Sequence, residues 1–335
     1  MTPPISDQKI SLTAPIPFPK EDLALGIDAG GTQTRWALAQ ASGAVLASGS
    51  VDGLTALHIS TEKGRLLVQN IFTSLAEITQ CRGNIVCIAA GITGCGEDIS
   101  VLRELLATVF DISSENVFIS NDISIAYRAV FQPGEGYLVY AGTGSIAAYI
   151  DQQGEFHRVG GHGFLLDDGG SGFWIARQAL RHIWRTEDEH NGSAKTSVMA
   201  QKVFAHIGGS DWASSKEFIY QGTRGDIGKL ALAVAAAADA DPAAHQLLQE
   251  AGQELARLAM ALCARFGDKP VALGGRVQEL HPVIFNTMRA TLPDNITLTP
   301  CVNAAHVAAA QLATRLTLAR SAPSDQNTLS SHLQT

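Results

Sequence analysis

The sequence lacks both a long apolar run and a cluster of positive charge. No stretch approaches the roughly 18 apolar residues of a membrane-spanning helix. No run of Lys and Arg occurs in this chain of 335 residues, whose formal net charge is −8. Because nucleic acids and anionic membranes attract clustered positive charge, both are excluded as main partners. We expect a cytoplasmic protein that binds a small molecule.

Cysteine is also scarce. The five cysteines are scattered and form no CxxC pair, so their spacing predicts neither a disulfide framework nor a zinc site. Buried, reduced thiols are expected. The residues are Cys81, Cys87, Cys95, Cys263 and Cys301.

The apolar content is sufficient for about two domains. Hydrophobic residues make up 46% of the chain and charged residues 17%, which is typical of a soluble protein with a large core. We predict a disordered, proline-broken leader over residues 1–22, an N-terminal α/β lobe over 23–131 and a C-terminal α/β lobe over 132–303. A closing helix over 304–319 is expected to return to the first lobe, before a disordered tail over 320–335.

One pattern occurs twice. The stretches "LGIDAGGTQTRWALAQASGAVLASG" and "GYLVYAGTGSIAAYIDQQGEFHRVGG" both read as an apolar strand, a Gly-Thr turn, a second strand, a polar turn and a third strand. The turn glycines Gly43 and Gly154 each follow the threonine of their copy, Thr32 or Thr143, by eleven residues. This agreement predicts one hairpin unit duplicated into two lobes.

Apolar periodicity predicts alternating strands and helices around these hairpins. Strands are expected over residues 84–92 and 116–122, and helices over 65–79, 101–110, 224–238 and 241–266. The first of these helices is expected to turn Leu67, Ile71, Leu75 and Ile78 toward the core.

Each hairpin contains a loop of glycine and threonine. Backbone N–H groups at glycine can approach phosphate oxygens that a Cβ would hold off, and a threonine hydroxyl adds a donor. Two such loops facing each other across a cleft would hold the β- and γ-phosphates of one nucleotide. The predicted phosphate-binding residues are Gly30, Gly31, Thr32, Gly142, Thr143 and Gly144.

Two aspartates stand beside these features. Asp28 precedes the first loop, and Val139 takes its place in the second copy; a carboxylate beside polyphosphate is typical of a Mg²⁺ ligand, through water. Asp122 ends the predicted strand "NVFISND", where open α/β sheets present ligands. Asp122 can be interpreted either as a helix N-cap or as a general base that Asn121 orients.

The order and spacing of these segments resemble the BadF/BadG/BcrA/BcrD ATPase family, within the superfamily of sugar kinases, heat-shock chaperones and actin. The resemblance runs from about Leu25 to Ala319 and rests on "DAGGTQT", "NDISIAYRA", "GTGS", "GGHGFLLDDGGSGFWIARQAL" and "LGGRV". It implies an α/β fold of two duplicated ribonuclease H-like (actin-like ATPase) lobes with an interlobe cleft. It also implies ATP and Mg²⁺ as cofactors.

The same resemblance implies roles for single residues. Asp122 would be the catalytic base, and Asp167 is the close competitor of Asp168 for one sugar contact. The segment "LGGRV" would be the adenosine loop. The implied nucleotide contacts outside the two glycine loops are Ile227, Gly274 and Gly275. The implied sugar contacts are Leu57, Asp122, Ser145, Ile146, Gly161, His162, Gly163 and Asp168.

These roles imply a homodimeric, ATP-dependent hexosamine kinase that phosphorylates the 6-hydroxyl of N-acetylglucosamine. Three departures from the family pattern bear on the sugar: Leu57 replaces an Asn, His162 a Trp and Gly169 a Glu. Three alternatives therefore stay open. They are a glucosamine kinase, an N-acetylmuramic acid kinase, and an ATPase of this family without sugar kinase activity.

Two related classes fit the sequence poorly. A redox-activator ATPase would place a cluster-binding cysteine at a helix start, where this sequence has none. A sugar-responsive repressor would need an upstream helix-turn-helix domain, and we expect none because 24 residues precede the first predicted strand at Leu25.

Overall fold

The fold is given by a computed structural model that describes residues 21–31, 33–96, 99–301 and 304–321. Within these ranges the strands are β1 (Asp22–Ala29), β2 (Gln33–Ala39), β3 (Val45–Asp52), β4 (Asn84–Ile92), β5 (Val117–Ser120), β6 (Tyr137–Ala141), β7 (Ser145–Ile150), β8 (Phe156–Gly160), β9 (Val271–Gly274) and β10 (Leu298–Pro300). The helices are α1 (Glu62–Gln80), α2 (Ser100–Phe110), α3 (Asp122–Arg128), α4 (Gly172–Glu189), α5 (Val198–Ile207), α6 (Trp212–Gln221), α7 (Arg224–Gly228), α8 (Leu230–Ala237), α9 (Pro242–Phe266), α10 (Pro282–Thr291) and α11 (Ala305–Ser321).

Each half of the chain contributes one five-stranded sheet, and the two sheets have the same strand order. The first sheet runs β3-β2-β1-β4-β5 and the second β8-β7-β6-β9-β10. In each sheet the three hairpin strands are antiparallel, and the last two strands are parallel to the central one. The turn glycines Gly43 and Gly154 both have positive φ, at 82° and 87°. The predicted duplicated α/β fold is confirmed.

The strand register corrects one predicted equivalence. Asp28 pairs with Gly91 on the neighbouring parallel strand, and in the second sheet Tyr140 pairs with the corresponding Gly274. Tyr140, not Val139, therefore occupies the place of Asp28. The reason is a difference in loop length. The first loop leaves residues 30–33 between paired positions, whereas the second leaves only 142–144.

The predicted helices are present, with two corrections. In α1, Leu67 and Ile78 are 42% and 37% exposed, so the prediction that they face the core is wrong. The buried face is turned by one residue, toward Val68 and Phe72, because α1 carries apolar residues on more than one side. The single helix predicted over 224–238 is instead α7 followed by α8.

Helix α11 packs across the first sheet, against β1, β2 and β4. Gly26 on β1 permits this contact, because a Cβ there would overlap the backbone of His306 and Ala310. Asp28 lies two residues after Gly26 on β1 and therefore on the same face of the sheet. Helix α11 thus covers the face that carries Asp28. Strand β1 begins at Asp22 and α11 continues to Ser321, and the lobe boundaries stay a prediction. Residues 1–20 and 322–335 lie outside the described ranges.

The five cysteines are thiols that differ in burial. Cys87 is buried, Cys81 is exposed, and the other three are partly exposed, so the prediction of buried thiols is correct only for Cys87. Among the described helices, none is both long and apolar enough to cross a membrane.

Candidate functional site

The candidate site lies where three parallel strands of the first sheet end. Thr93 follows β4, Asp122 follows β5, and Asp28 lies near the end of β1. Gly91 stands beside Asp28 in register, and a Cβ on Gly91 would lie 3.1 Å from the Asp122 Cα. Glycine at this position therefore lets α3 begin close against β4, which brings the two aspartates to the same edge of the sheet.

Local hydrogen bonds fix the Asp122 carboxylate. Asn121 is the N-cap of α3, because its side chain accepts a 2.7 Å hydrogen bond from the Ser124 N–H; the interpretation of Asp122 as the N-cap is wrong. The Thr93 hydroxyl donates a 2.8 Å hydrogen bond to Asp122 Oδ2, and the Ile123 N–H donates one of 3.0 Å to Oδ1. Thr93, rather than Asn121, orients this carboxylate.

Asp28 and Asp122 are close enough to affect each other electrostatically. Burial raises the pKa of Asp28 from its ordinary 3.8 to about 6, and the charge of Asp122 adds to the rise. Arg35, directly opposite on β2, acts against it. Burial and the charges of both aspartates also raise the pKa of Tyr140. Tyr140 lies on the second sheet, so residues of both sheets meet at this site.

The first glycine loop has room around its backbone. A Cβ on Gly30 would meet its nearest neighbour at 3.5 Å and one on Gly31 at 3.4 Å. The Gly30 N–H donates to the Gln33 carbonyl over 3.1 Å, which closes the turn. Thr32, the third predicted residue of this loop, lies outside the described residues.

The second glycine loop, residues 142–144, is tied to the start of α4. The first amides of this helix, on Gly172 and Phe173, donate to the Gly142 and Thr143 carbonyls over 2.9 and 3.2 Å. A Cβ on Gly142 would meet nothing within 4 Å. Gly144 differs, because a Cβ there would overlap the Arg224 guanidinium. Gly142 therefore leaves its backbone open to a ligand, whereas Gly144 makes room for the Arg224 side chain.

The predicted adenosine loop lies directly beside the second glycine loop. Gly275 has a φ of 88°, and a Cβ there would overlap the Ala141 carbonyl at the end of β6. Gly274 packs on the Tyr140 ring. Ile227 is only 6% exposed and packs in the core of the second lobe, so a nucleotide contact there could involve little of its side chain. The roles of these residues stay predictions.

Asp168 is the most enclosed acid of the predicted sugar segment. It is 3% exposed, and its φ of 53° is a left-handed conformation that non-glycine residues seldom adopt. The Gly163 N–H donates a 3.1 Å hydrogen bond to Oδ1, and Arg224 donates one of 2.9 Å to Oδ2. Its competitor Asp167 is a third exposed and pairs with Arg257 at 3.3 Å. Burial and conformational strain therefore favour Asp168 as a functional residue.

Other predicted sugar contacts adjoin this segment. The Ser145 hydroxyl donates to the Gly169 carbonyl over 2.7 Å, and the Gly161 N–H donates to the Ser145 carbonyl over 3.0 Å. A Cβ on Gly161 would lie 2.9 Å from the Ile146 side chain, so Ile146 packs beneath this turn. Exposed His162 follows directly in the chain. The structure thus brings the second-lobe predictions together.

The other two departures from the family pattern, Leu57 and Gly169, lie in different surroundings. Leu57 is 72% exposed and lies near Gly94, in the turn after Thr93, so its side chain is on the same edge of the first sheet as Asp122. A Cβ on Gly169 would lie 2.7 Å from Glu254 Oε2. A carboxylate from α9 therefore reaches the point where the family pattern places a glutamate.

Three residues at this site escaped prediction: Thr93, Arg224 and Glu254. Thr93 could have been found, because it directly follows a buried strand whose neighbour ends at Asp122. No local pattern indicates the other two. Arg224 contacts Asp168 across 56 residues of sequence, and Glu254 lies on a helix that is identified by its apolar spacing alone.

A cluster of three side chains that could bind a metal occurs at the β7–β8 turn. Ligand atoms of Asp151, Glu155 and His157 lie within 4.8 Å of one another. Asp151 accepts hydrogen bonds from the N–H groups of Gln153 and Glu155 and contacts His157 Nε2 at 2.8 Å. These contacts account for the group as part of the turn.

The chain is similar in sequence to an ATPase family and to two named kinases of amino sugars. The BadF/BadG/BcrA/BcrD ATPase family model matches residues 25–299. An N-acetylmuramic acid/N-acetylglucosamine kinase of Clostridium acetobutylicum is 25% identical over 238 residues, which are 69% of this chain and 76% of that protein. An N-acetyl-D-glucosamine kinase of Dictyostelium discoideum is 27% identical over 195 residues, 55% of this chain and 61% of that protein.

Solved structures show the same fold. A candidate N-acetylglucosamine kinase of Porphyromonas gingivalis superposes with a TM-score of 0.70 at 18% identity, covering 87% of this chain and 99% of that one. A ROK family glucokinase of Streptomyces griseus, in complex with glucose and AMPPNP, gives a TM-score of 0.58 at 17% identity, covering 88% of this chain and 99% of that one.

Proposed function

The chain belongs to the BadF/BadG/BcrA/BcrD ATPase family, and we propose that within it this protein is an ATP-dependent kinase of amino sugars. The acceptor is the 6-hydroxyl of N-acetylglucosamine. The observation that carries the proposal is the Asp122 carboxylate, held by Thr93 at the edge where β1, β4 and β5 end. Both sheets converge on this point, as a cleft for phosphoryl transfer requires.

The nucleotide is assigned to the glycine loops. Gly142 has open space around its Cα, so its backbone can approach a phosphate oxygen, and Gly275 brings the predicted adenosine loop against the end of β6. Phosphoryl transfer depends on positioning and electrostatic stabilisation more than on covalent chemistry. Loops anchored to β6 and α4 provide such positioning.

Asp28 and Asp122 fit a Mg²⁺ ion. Burial, and to a lesser extent the charge of Asp122, raises the pKa of Asp28 to about 6. A divalent cation would stabilise these two carboxylates, and oxygen ligands suit Mg²⁺. We assign Asp28 to the ion, through water. When bound, the ion would neutralise charge on the phosphate oxygens.

Asp122 is assigned as the general base. Its carboxylate would accept the proton of the sugar hydroxyl as the γ-phosphoryl group is transferred in line. The Thr93 hydroxyl keeps Oδ2 in place for this step. Asp168 and the turn at Gly161–Gly163 would orient the sugar through hydrogen bonds.

Two observations bear on the sugar specificity. The relative from Clostridium acetobutylicum is named for both N-acetylmuramic acid and N-acetylglucosamine, and Leu57 offers no amide to an acyl group. N-acetylmuramic acid is therefore the second candidate, followed by glucosamine and by ATP hydrolysis without a sugar. A cytoplasmic homodimer with the lobe boundaries given above completes the proposal.

A coupled ADP-release assay over a panel of sugars tests this function. The panel contains N-acetylglucosamine, N-acetylmuramic acid, glucosamine, N-acetylmannosamine and glucose, with phosphorus NMR of the product to locate the phosphate. We expect the highest kcat/KM with N-acetylglucosamine and a 6-phosphate product. ADP release that is equal with and without every sugar would show an ATPase instead.

A further inference from the structure

We propose that Arg224 is a positioning residue that links the sugar-side carboxylate of Asp168 to the second glycine loop, residues 142–144. This inference rests on the proposed function. Arg224 begins α7, 56 residues from Asp168 in the sequence, and neither the sequence pattern nor the family resemblance assigned it a role.

The first observation is an ion pair with one buried member. Asp168 is 3% exposed while the Arg224 side chain is 42% exposed, and Arg224 Nη2 lies 2.9 Å from Asp168 Oδ2. Burial of a carboxylate is costly unless a charge partner and hydrogen-bond donors replace its lost hydration. Arg224 provides the charge, and the Gly163 N–H provides the second donor at 3.1 Å.

The second observation is the contact of the same guanidinium with the glycine loop. A Cβ on Gly144 would overlap Arg224 Nη2 and would lie 2.7 Å from Asp168 Oδ2. Gly144 thus leaves the space that the ion pair fills. The positive charge of Arg224 consequently lies against the loop to which a phosphate is assigned, where it would attract the anion.

The third observation is that packing holds both ends of α7, one against this loop and the other against an aromatic ring. One turn after Arg224, a Cβ on Gly228 would lie 3.2 Å from the Thr143 side chain. At the other end the guanidinium lies 5.5 Å from the centre of the Phe164 ring. That ring packs edge-on against Phe173 at 4.8 Å. The Arg224 side chain is therefore held in one place by packing as well as by charge.

Through these contacts the Arg224 side chain lies beside both Asp168, the proposed sugar contact, and residues 142–144, the proposed phosphate loop. A sugar that hydrogen-bonds Asp168 and a phosphate held at residues 142–144 would both interact with the same cation. Loss of a purely structural ion pair would change stability alone. Loss of Arg224 should instead weaken nucleotide binding and also reduce the effect of the nucleotide on sugar affinity.

Arg257 offers a matched control. Its side chain is 48% exposed and pairs with Asp167, the neighbour of Asp168, and with Glu254. The described contacts of Arg257 do not include the glycine loop. Substituting either arginine by methionine removes one charge and keeps an apolar side chain. Arg224→Met breaks the ion pair with Asp168, and Arg257→Met breaks the ion pair with the adjacent Asp167.

The experiment is calorimetric titration of the whole chain with Mg-AMPPNP, and with N-acetylglucosamine in its absence and presence. For Arg224→Met we expect Mg-AMPPNP affinity to fall by about tenfold, as for loss of a charge-assisted contact. The nucleotide should then no longer alter sugar affinity. Arg224→Lys should recover part of the nucleotide affinity, because it keeps the charge without the planar fork. Arg257→Met should bind Mg-AMPPNP like the wild type.

Wild-type nucleotide affinity in a folded Arg224→Met variant would overturn the proposal, as would an equal loss in Arg257→Met. If Arg224→Met does not fold, Arg224→Lys decides the question: we expect at least about fivefold weaker sugar binding in the presence of nucleotide, and wild-type values would contradict it. A wild-type protein that binds Mg-AMPPNP but phosphorylates no sugar would refute the proposed function, whereas nucleotide binding by the arginine variants tests Arg224 separately.

Discussion

At the scale of single residues, the acidic pair at the end of β1 and β5 is the feature with the clearest physical cost. Asp28 is partly buried beside Asp122, and its pKa is raised to about 6. Arg35 offsets only part of this effect. Functional sites often hold such unfavourable charges because a ligand relieves them.

This cost predicts a pH-dependent stability in the absence of Mg²⁺. Unfolded Asp28 loses its proton near pH 3.8, whereas folded Asp28 loses it near pH 6. The free energy of unfolding therefore falls as the pH rises between these values, and the penalty above pH 6 approaches about 3 kcal/mol. Asp28→Asn should be more stable than the wild type by up to this amount at pH 8 in a chelating buffer, measured by urea unfolding.

The comparison with acidic solution supplies the control. As the pH falls from 6 toward 4, wild-type Asp28 becomes protonated in the folded state and the advantage of Asp28→Asn should shrink. A stability difference that is the same at pH 5 and pH 8 would contradict the assigned pKa.

At the scale of elements, glycines of opposite character carry the architecture. Gly26 is closed in by α11, so a Cβ would overlap the His306 and Ala310 backbone; Gly142 is open. Gly26→Ala should lower the free energy of unfolding by about 1–3 kcal/mol or more through overpacking.

Gly142→Val should keep the melting temperature within a few degrees but weaken Mg-ATP binding by about tenfold.

Thermal unfolding and nucleotide titration of both variants separate these effects. A stable Gly26→Ala variant would mean that α11 is not docked on β1 as described. Unchanged nucleotide affinity in folded Gly142→Val would remove the second glycine loop from the phosphate site.

The elements also show what sequence patterns can and cannot reveal. The spacing of Gly43 and Gly154 predicted both hairpins, because a positive φ at a turn restricts the residue type. The equivalence of Asp28 with Val139 failed, since a loop longer by one residue is invisible in the glycine spacing. Helix α1 was turned by one residue for a related reason: apolar residues on a second side offset the periodicity.

At the scale of the whole molecule, predictability follows sequence distance. Thr93 and Asp122 both follow strands that the sequence identifies, so their meeting could be inferred from parallel strand order. Arg224 and Glu254 reach the site from α7 and α9. The apolar residues of these helices show which face is buried, but not which polar side chain meets the site. The contacts of Arg224 and Glu254 depend on how α7 packs against α4 and how α9 packs against the second sheet, which no local pattern specifies.

The central claim joins both lobes in one reaction, with Asp122 as the base, and one substitution tests it most directly. Asn121 caps α3, so Asp122→Asn should leave the melting temperature and the affinity for N-acetylglucosamine nearly unchanged. An amide cannot accept the hydroxyl proton, and kcat for phosphorylation of N-acetylglucosamine should therefore fall by roughly 10²-fold or more. Asp188→Asn, at an exposed position on α4, is the control and should keep wild-type kcat. Turnover by Asp122→Asn within a few-fold of the wild type would contradict the assignment.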